Sequence, residues 1–132
     1  MKFSEVVEGF KWSLSHTKNI SCCVVIDDRS YPQIQSVGVD IEKSNRSIPN
    51  ILHEKFIRRD EYTHLSELEI WCIKEAAFKA ISKIYFETFD LIDIKLTQKN
   101  FELIKLDSTR IFGAFEFWYS DGYIISGASV SS

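Results

Sequence analysis

The sequence predicts one α+β domain, a bent antiparallel sheet packed against a long helix. Three observations carry this. Apolar residues recur with a helical period only in the middle of the chain. Alternating, strand-like runs lie on both sides of that stretch. Tight-turn residues separate the runs, and with two prolines and five glycines in 132 residues no linker marks a boundary. Residues 1–132 therefore read as one domain without internal repeats, large enough to bury a real core. Aromatic residues make up 14% of the chain, which excludes intrinsic disorder.

In order, the first ten residues can form a short helix capped by Ser4. A strand starts at Trp12, turns around Thr17 to Asn19, and returns as a buried strand over Ser21–Asp27. Asp27-Asp28-Arg29-Ser30 and Pro32 form the next turn, and a third strand spans roughly Gln33–Glu42. Ser47 and Pro49 mark a helix start, with Ile48, Ile51, Leu52 and Phe56 as its apolar stripe. Asp60 is placed to cap a shorter helix holding Tyr62 and Leu65. Ser66 and Glu69 form a capping box for the strongest helix, which runs to about Tyr85 and turns Ile70, Ile73, Ala77, Ala80 and Ile84 to the core. The remainder reads as an antiparallel meander over Ile92–Thr97, Phe101–Leu106, Ile111–Tyr119 and Gly122–Val130, with Asp121-Gly122 as its last hairpin turn.

Composition excludes several functions. Sixteen Lys and Arg against nineteen Asp and Glu give a net charge of −3, unlike a general nucleic-acid binder. The longest apolar runs, Cys22–Ile26 and Ile111–Tyr119, fall far short of the roughly 20 residues a membrane span needs. Acidic residues stand near the N-terminus where a signal peptide would be continuously apolar. Cys22, Cys23 and Cys72 have neither disulfide-framework nor zinc spacing and read as small buried hydrophobes in a reducing compartment, so the expected location is the cytoplasm.

Three clusters can do chemistry. In Gly38-Val39-Asp40-Ile41-Glu42, strand alternation turns Val37, Val39 and Ile41 to the core and Gly38, Asp40 and Glu42 to the other face. Gly38 leaves space beside two carboxylates that suit Mg²⁺, although the same pattern fits an edge strand with a solvated acidic face. In the helix, Trp71, Glu75 and Lys79 share a face, and Lys74, about 100° around, can reach the same ligand. Glu75 with Lys79 equally fits an ordinary surface pair. Ser15, His16 and Thr17 can donate to phosphate oxygens from a strand end, or simply be exposed in a turn.

Taken together and in order, Trp-x-Leu-Ser-His, Gly-Val-Asp-Ile-Glu and Trp-x-x-Lys-Glu-Ala-x-x-Lys-Ala resemble the 4′-phosphopantetheinyl transferase superfamily. The likeness, over roughly Trp12 to Gly127, is to the C-terminal half of the larger, surfactin-synthetase-activating type. It implies a holo-[acyl-carrier-protein] synthase activity, in which the phosphopantetheine arm of coenzyme A moves to a serine of an apo acyl or peptidyl carrier protein. It also implies Asp40, Glu42 and Glu75 as Mg²⁺ ligands, Ser15 and His16 on the coenzyme A phosphates, Lys74 and Lys79 beside the pyrophosphate, and Glu61 as a base for the serine proton. Because the likeness covers one half of a two-half enzyme, a homo-oligomer (trimer or dimer) is expected, a neighbour supplying the rest of the coenzyme A pocket. Lys43 to Arg59 holds five basic residues and one acidic residue, and is expected to dock the acidic carrier with apolar help from Leu52 or Ile57. Two departures from transfer stay open: a non-catalytic homologue that binds coenzyme A or carrier protein, and a Mg²⁺-dependent pyrophosphate hydrolase.

Overall fold

The structure, a computed structural model, describes residues 9–62, 64–105 and 110–131. The expected Ser4-capped helix lies outside them. Strands β1 (Phe10–His16) and β2 (Ser21–Asp27) form an antiparallel hairpin that is a sheet of its own. Strand β3 (Ile34–Lys43) opens the second sheet. A 3-10 turn at Asn50–Lys55 and helix α1 (Glu67–Ser82) follow, then β4 (Ile94–Leu96), β5 (Asn100–Ile104), β6 (Arg110–Ser120) and β7 (Tyr123–Ser131). The five strands pair antiparallel in the order β3-β7-β6-β5-β4, so the chain leaves one edge, crosses a face through α1 and returns from the opposite edge. The α+β class and the closing meander are as expected.

Local chemistry explains the well-read elements. The Ser66 hydroxyl accepts from Glu69 N while Glu69 accepts from Ser66 N, satisfying donors that a helix start leaves unpaired. Asp121 and Gly122, at φ 50° and 82°, supply the two left-handed residues that a two-residue hairpin needs. Helix α1 buries Ile70, Ile73, Ala76, Ala77, Ala80 and Ile81 on the sheet, against Leu96, Phe101, Leu103, Phe115 and Val130.

Three expected elements differ. The segment after Pro49 is a single 3-10 turn whose Ile48 and Phe56 are buried while Ile51 is 82% exposed. No helix forms around Asp60 among the described residues: the Glu61 carboxylate accepts from Arg58 N and Leu96 N, closing a turn instead. Helix α1 stops at Ser82, with Ile84 and Tyr85 packed beyond it.

Strand β3 departs most from a one-sided strand, because it is buried on both faces from Ser36 to Ile41. Gly38 does not leave space for a ligand. A Cβ built there would lie 2.0 Å from Ala76 O and 2.8 Å from Ala80 N, so the helix backbone fills the volume. Ser36 Oγ adds a 2.7 Å bond to Ala80 O along the same contact. A methyl at position 38 must push helix and strand apart, so Gly38→Ala should lower the unfolding free energy by at least about 2 kcal/mol. Gly127→Ala, with nothing within 4 Å of its Cβ, should change it by less than about 1 kcal/mol. Urea denaturation of the two variants checks the contrast.

Candidate active site

The approach at Gly38 sets the Asp40–Glu42 face of β3 against the first turns of α1. Asp40 is 7% exposed, and Cys72 Sγ lies 3.5 Å from its main-chain oxygen. Trp71 Nε1 donates to Glu42 Oε1 at 3.2 Å, and Arg46 holds the other Glu42 oxygen at 2.7 Å while stacking over the Trp71 ring at 5.3 Å. Glu75, half-buried one turn after Trp71, adds its field to both strand carboxylates. Lys79 Nζ stands 3.7 Å from Asp40 Oδ1.

This gathering of negative charge away from water shows in the acidities. Burial, then the Glu42 charge, raises the Asp40 carboxyl from 3.8 to about 7, with Lys79 opposing and Glu75 reinforcing the shift. Burial likewise raises Glu75, against the pull of Lys79. Asp40 Oδ2 is buried without a hydrogen-bond donor. A proton shared with Glu42, a water or a cation would satisfy it.

Strand β1 completes the site from the other side. Ser15, 6% exposed, donates to Asp40 Oδ1 at 3.4 Å and accepts from Ile41 N at 3.3 Å. His16 ends β1, exposed and on the opposite hairpin face from Ser15.

Five of the eight expected residues, Asp40, Glu42, Glu75, Lys79 and Ser15, thus meet along one seam, with His16 at its end. Lys74 and Glu61 require correction. Lys74 is fully buried, donating to Phe56 O and Glu61 Oε2 at 2.5 Å each, so its ammonium cannot flank a pyrophosphate in this arrangement. Glu61 Oε2 also accepts from Arg58 N, and Oε1 accepts from Leu96 N at 2.7 Å. With both oxygens hydrogen-bonded, one of them to a buried ammonium, and the residue 7% exposed, Glu61 is held as a structural partner and not as an open base. The pair ties the 56–61 turn to α1 and β4. Of the cysteines, Cys72 is buried as expected, Cys22 is half-buried and Cys23 is exposed.

Sequence reasoning placed Ser13 in the strand-end cluster without a role and gave Lys83 none. Ser13 Oγ accepts from Val39 N at 3.1 Å, and Lys83 Nζ bonds Trp12 O and Val37 O at 2.6 Å each. Ser13 and Ser15 alternating in an apolar strand, and Lys83 one turn after Lys79, were the available signals.

Among the described residues, no three His, Cys, Asp or Glu side chains are drawn together closely enough to hold a metal ion as they stand. The donor set nonetheless fits a hard divalent cation: three carboxylates, with Asp40 and Glu75 of raised proton affinity, one buried oxygen without a partner, and only oxygen ligands. A depression of about 700 Å³ lies elsewhere, lined by Glu54, Ile57, Arg58, Arg59, Asp60 and Ile92. Among the described residues no helix is long and apolar enough to cross a membrane.

A strand with Asp and Glu two residues apart thus faces a helix that offers Glu and Lys one turn apart. A family model of the 4′-phosphopantetheinyl transferase superfamily matches residues 36–128, from β3 to β7. The chain belongs to that superfamily, and its general role is that of a phosphopantetheine transferase. A search of curated proteins found no match.

Two stability measurements follow from the site. Lys74→Met leaves a buried carboxylate without its cation and should cost about 3–5 kcal/mol. Lys74→Met with Glu61→Gln should cost less than the single change, because the neutral amide still accepts from Leu96 N. The second concerns pH in the metal-free chain. Folding raises the Asp40 pKa from 3.8 to about 7, so its favourable contribution is full below the lower value and is lost as pH rises through the upper one. Asp40→Asn should therefore be more stable than the parent near pH ~8 and lose that advantage toward pH ~4. Urea midpoints across the range read the difference.

Proposed function

We propose that the chain catalyses Mg²⁺-dependent transfer of 4′-phosphopantetheine from coenzyme A to a serine of an apo acyl or peptidyl carrier protein. The observation that carries this reading is the facing of Asp40 and Glu42 by Glu75 and Lys79, with the unpartnered Asp40 Oδ2 between them. Asp40, Glu42 and Glu75 would hold the Mg²⁺, which would supply Lewis-acid stabilisation of the charge that develops on the leaving phosphate. Three carboxylates around one divalent ion leave about one negative charge, so cations are needed to hold an anionic pyrophosphate. Lys79 supplies one, and the Ser15 hydroxyl with His16 supplies donors at the strand end.

The carrier serine oxygen attacks the phosphorus on the pantetheine side, and a new P–O bond forms. The bond from that phosphorus to the bridging oxygen breaks, releasing 3′,5′-ADP. A carboxylate of the set, directly or through water, takes the serine proton. A neighbouring copy in a trimer or dimer supplies the remainder of the coenzyme A pocket, and the reaction belongs to the cytoplasm.

The carrier docks on the segment between β3 and α1. Lys43, Lys55 and Arg59 are exposed there, and Ile51 offers an apolar contact. This revises the expected apolar helpers, since Leu52 and Ile57 pack on the core. Arg58 is largely spent on the Asp60 carboxylate and Ile92 O. Incubation with Mg²⁺, coenzyme A and several apo carriers should give a carrier mass gain of one phosphopantetheine. Asp40→Ala should abolish it with the fold retained by circular dichroism; undiminished turnover would overturn the metal assignment. Lys55→Glu with Arg59→Glu should raise the carrier KM about tenfold in low salt and little in high salt. Carrier binding without mass gain would mark a non-catalytic homologue, and coenzyme A breakdown without carrier a hydrolase.

A further inference from the structure

Strand β3 pairs with β7 along one edge, and its other edge faces β1 without a main-chain ladder. Side chains take the ladder's place. Val39 N and Ile41 N donate to the Ser13 and Ser15 hydroxyls. On the carbonyl side, Lys79 Nζ bonds Val39 O at 2.9 Å and Leu14 O at 3.5 Å, while Lys83 Nζ bonds Val37 O and Trp12 O. Lys79 reaches up from α1 and Lys83 from its C-cap, one turn on, and each bridges β3 to β1.

The two bridges are unequal. Lys79 divides its ammonium among two carbonyls and the Asp40 carboxylate, with two of the three contacts at 3.5 Å or more. Lys83 makes two 2.6 Å bonds, one to each strand, and stands one turn further from the carboxylates. An anion drawing Lys79 away therefore weakens one bridge and leaves the other intact.

We propose that Lys83 is a positioning residue: it clasps β1 to the free edge of β3, holding Ser15 beside Asp40 and the strand end with His16 in place while Lys79 turns to the bound phosphates. The proposal rests on the function given above for that site. It explains why a second lysine is placed on a seam that Ser13 and Ser15 already join on the amide side. Burial of the Lys83 ammonium, and the nearby Lys79 charge, lower its pKa, as fits a group held in the seam.

Amide hydrogen exchange and kinetics of Lys83→Met and Lys83→Arg test the clasp separately from the function. In Lys83→Met, exchange at Val39 and Ile41 should quicken at least tenfold, with Ile124 and Val130 unchanged. The KM for coenzyme A should rise about tenfold while kcat falls less than threefold, and Lys83→Arg should recover most of both effects. Unchanged exchange at Val39 and Ile41 overturns the clasp, whether or not the chain transfers phosphopantetheine. Faster exchange with an unchanged KM, or equal quickening at all four amides, overturns the positioning role. If the parent chain neither binds coenzyme A by calorimetry nor modifies a carrier, the function fails and takes the positioning role with it, while exchange still decides the clasp.

Discussion

The contact between Gly38 and the backbone of α1 is the constraint on which the rest of the molecule depends. A helix resting on a sheet through ordinary side chains leaves about 10 Å between the two layers. Here the missing side chain at Gly38, with Ala76 and Ala80 opposite, lets α1 sink until Ala76 O lies where a Cβ would be. Charge follows from geometry: the next two residues on that strand face, Asp40 and Glu42, come against the helix turn bearing Trp71 and Glu75. Strand and helix are then too close for water to solvate the carboxylates fully, and the raised proton affinities of Asp40 and Glu75 express that crowding.

The same closeness gives the helix lysines their reach. From a helix further off, Lys79 and Lys83 would end under the sheet. From this one, their ammoniums reach the carbonyls along the free edge of β3. An unpaired edge invites pairing with foreign strands. This one is closed by two hydroxyls and two ammoniums, groups that can release and re-form one at a time. A main-chain ladder would have fixed Ser15 as rigidly as Val39. A side-chain seam lets one of its members, Lys79, belong to the site as well.

Much of this was legible in the sequence, and the limits were physical. The Ser66 cap, the Asp121-Gly122 turn and the closing meander are local signals, and they stand as read. The Asp40-x-Glu42 and Glu75 motifs were readable by residue type. Their meeting, however, depends on a glycine whose function was a close approach, whereas an open space was the natural reading. Lys74 and Glu61 failed for a related reason. Helical spacing puts Lys74 within about 100° of Glu75, but it cannot say that the rotation leads into the core. Nor can it say that Glu61, thirteen residues earlier, folds back to meet it. A buried ion pair is made by tertiary partners: Leu96 N lies 35 residues from Glu61 and Phe56 O lies 18 residues from Lys74 in the chain.

Two acidic groups are buried here with opposite consequences, and the comparison separates structure from function. Glu61 is as buried as Asp40, at 7% exposure each, yet both of its oxygens are bonded and one accepts from a buried lysine. That carboxylate is engaged on both oxygens by the fold itself. Asp40 has a long bond from Ser15, a distant lysine, a second carboxylate pressing on it and one oxygen without a donor. Its burial is opposed by the solvation it has lost, and the fold tolerates this because Gly38 and the α1 packing hold strand and helix together. Unrelieved electrostatic cost held in place by good packing marks a group prepared for a ligand. The difference between these two acids, more than the number of carboxylates, is what favours the β3–α1 seam as the proposed site and leaves the Lys74–Glu61 pair to hold the frame.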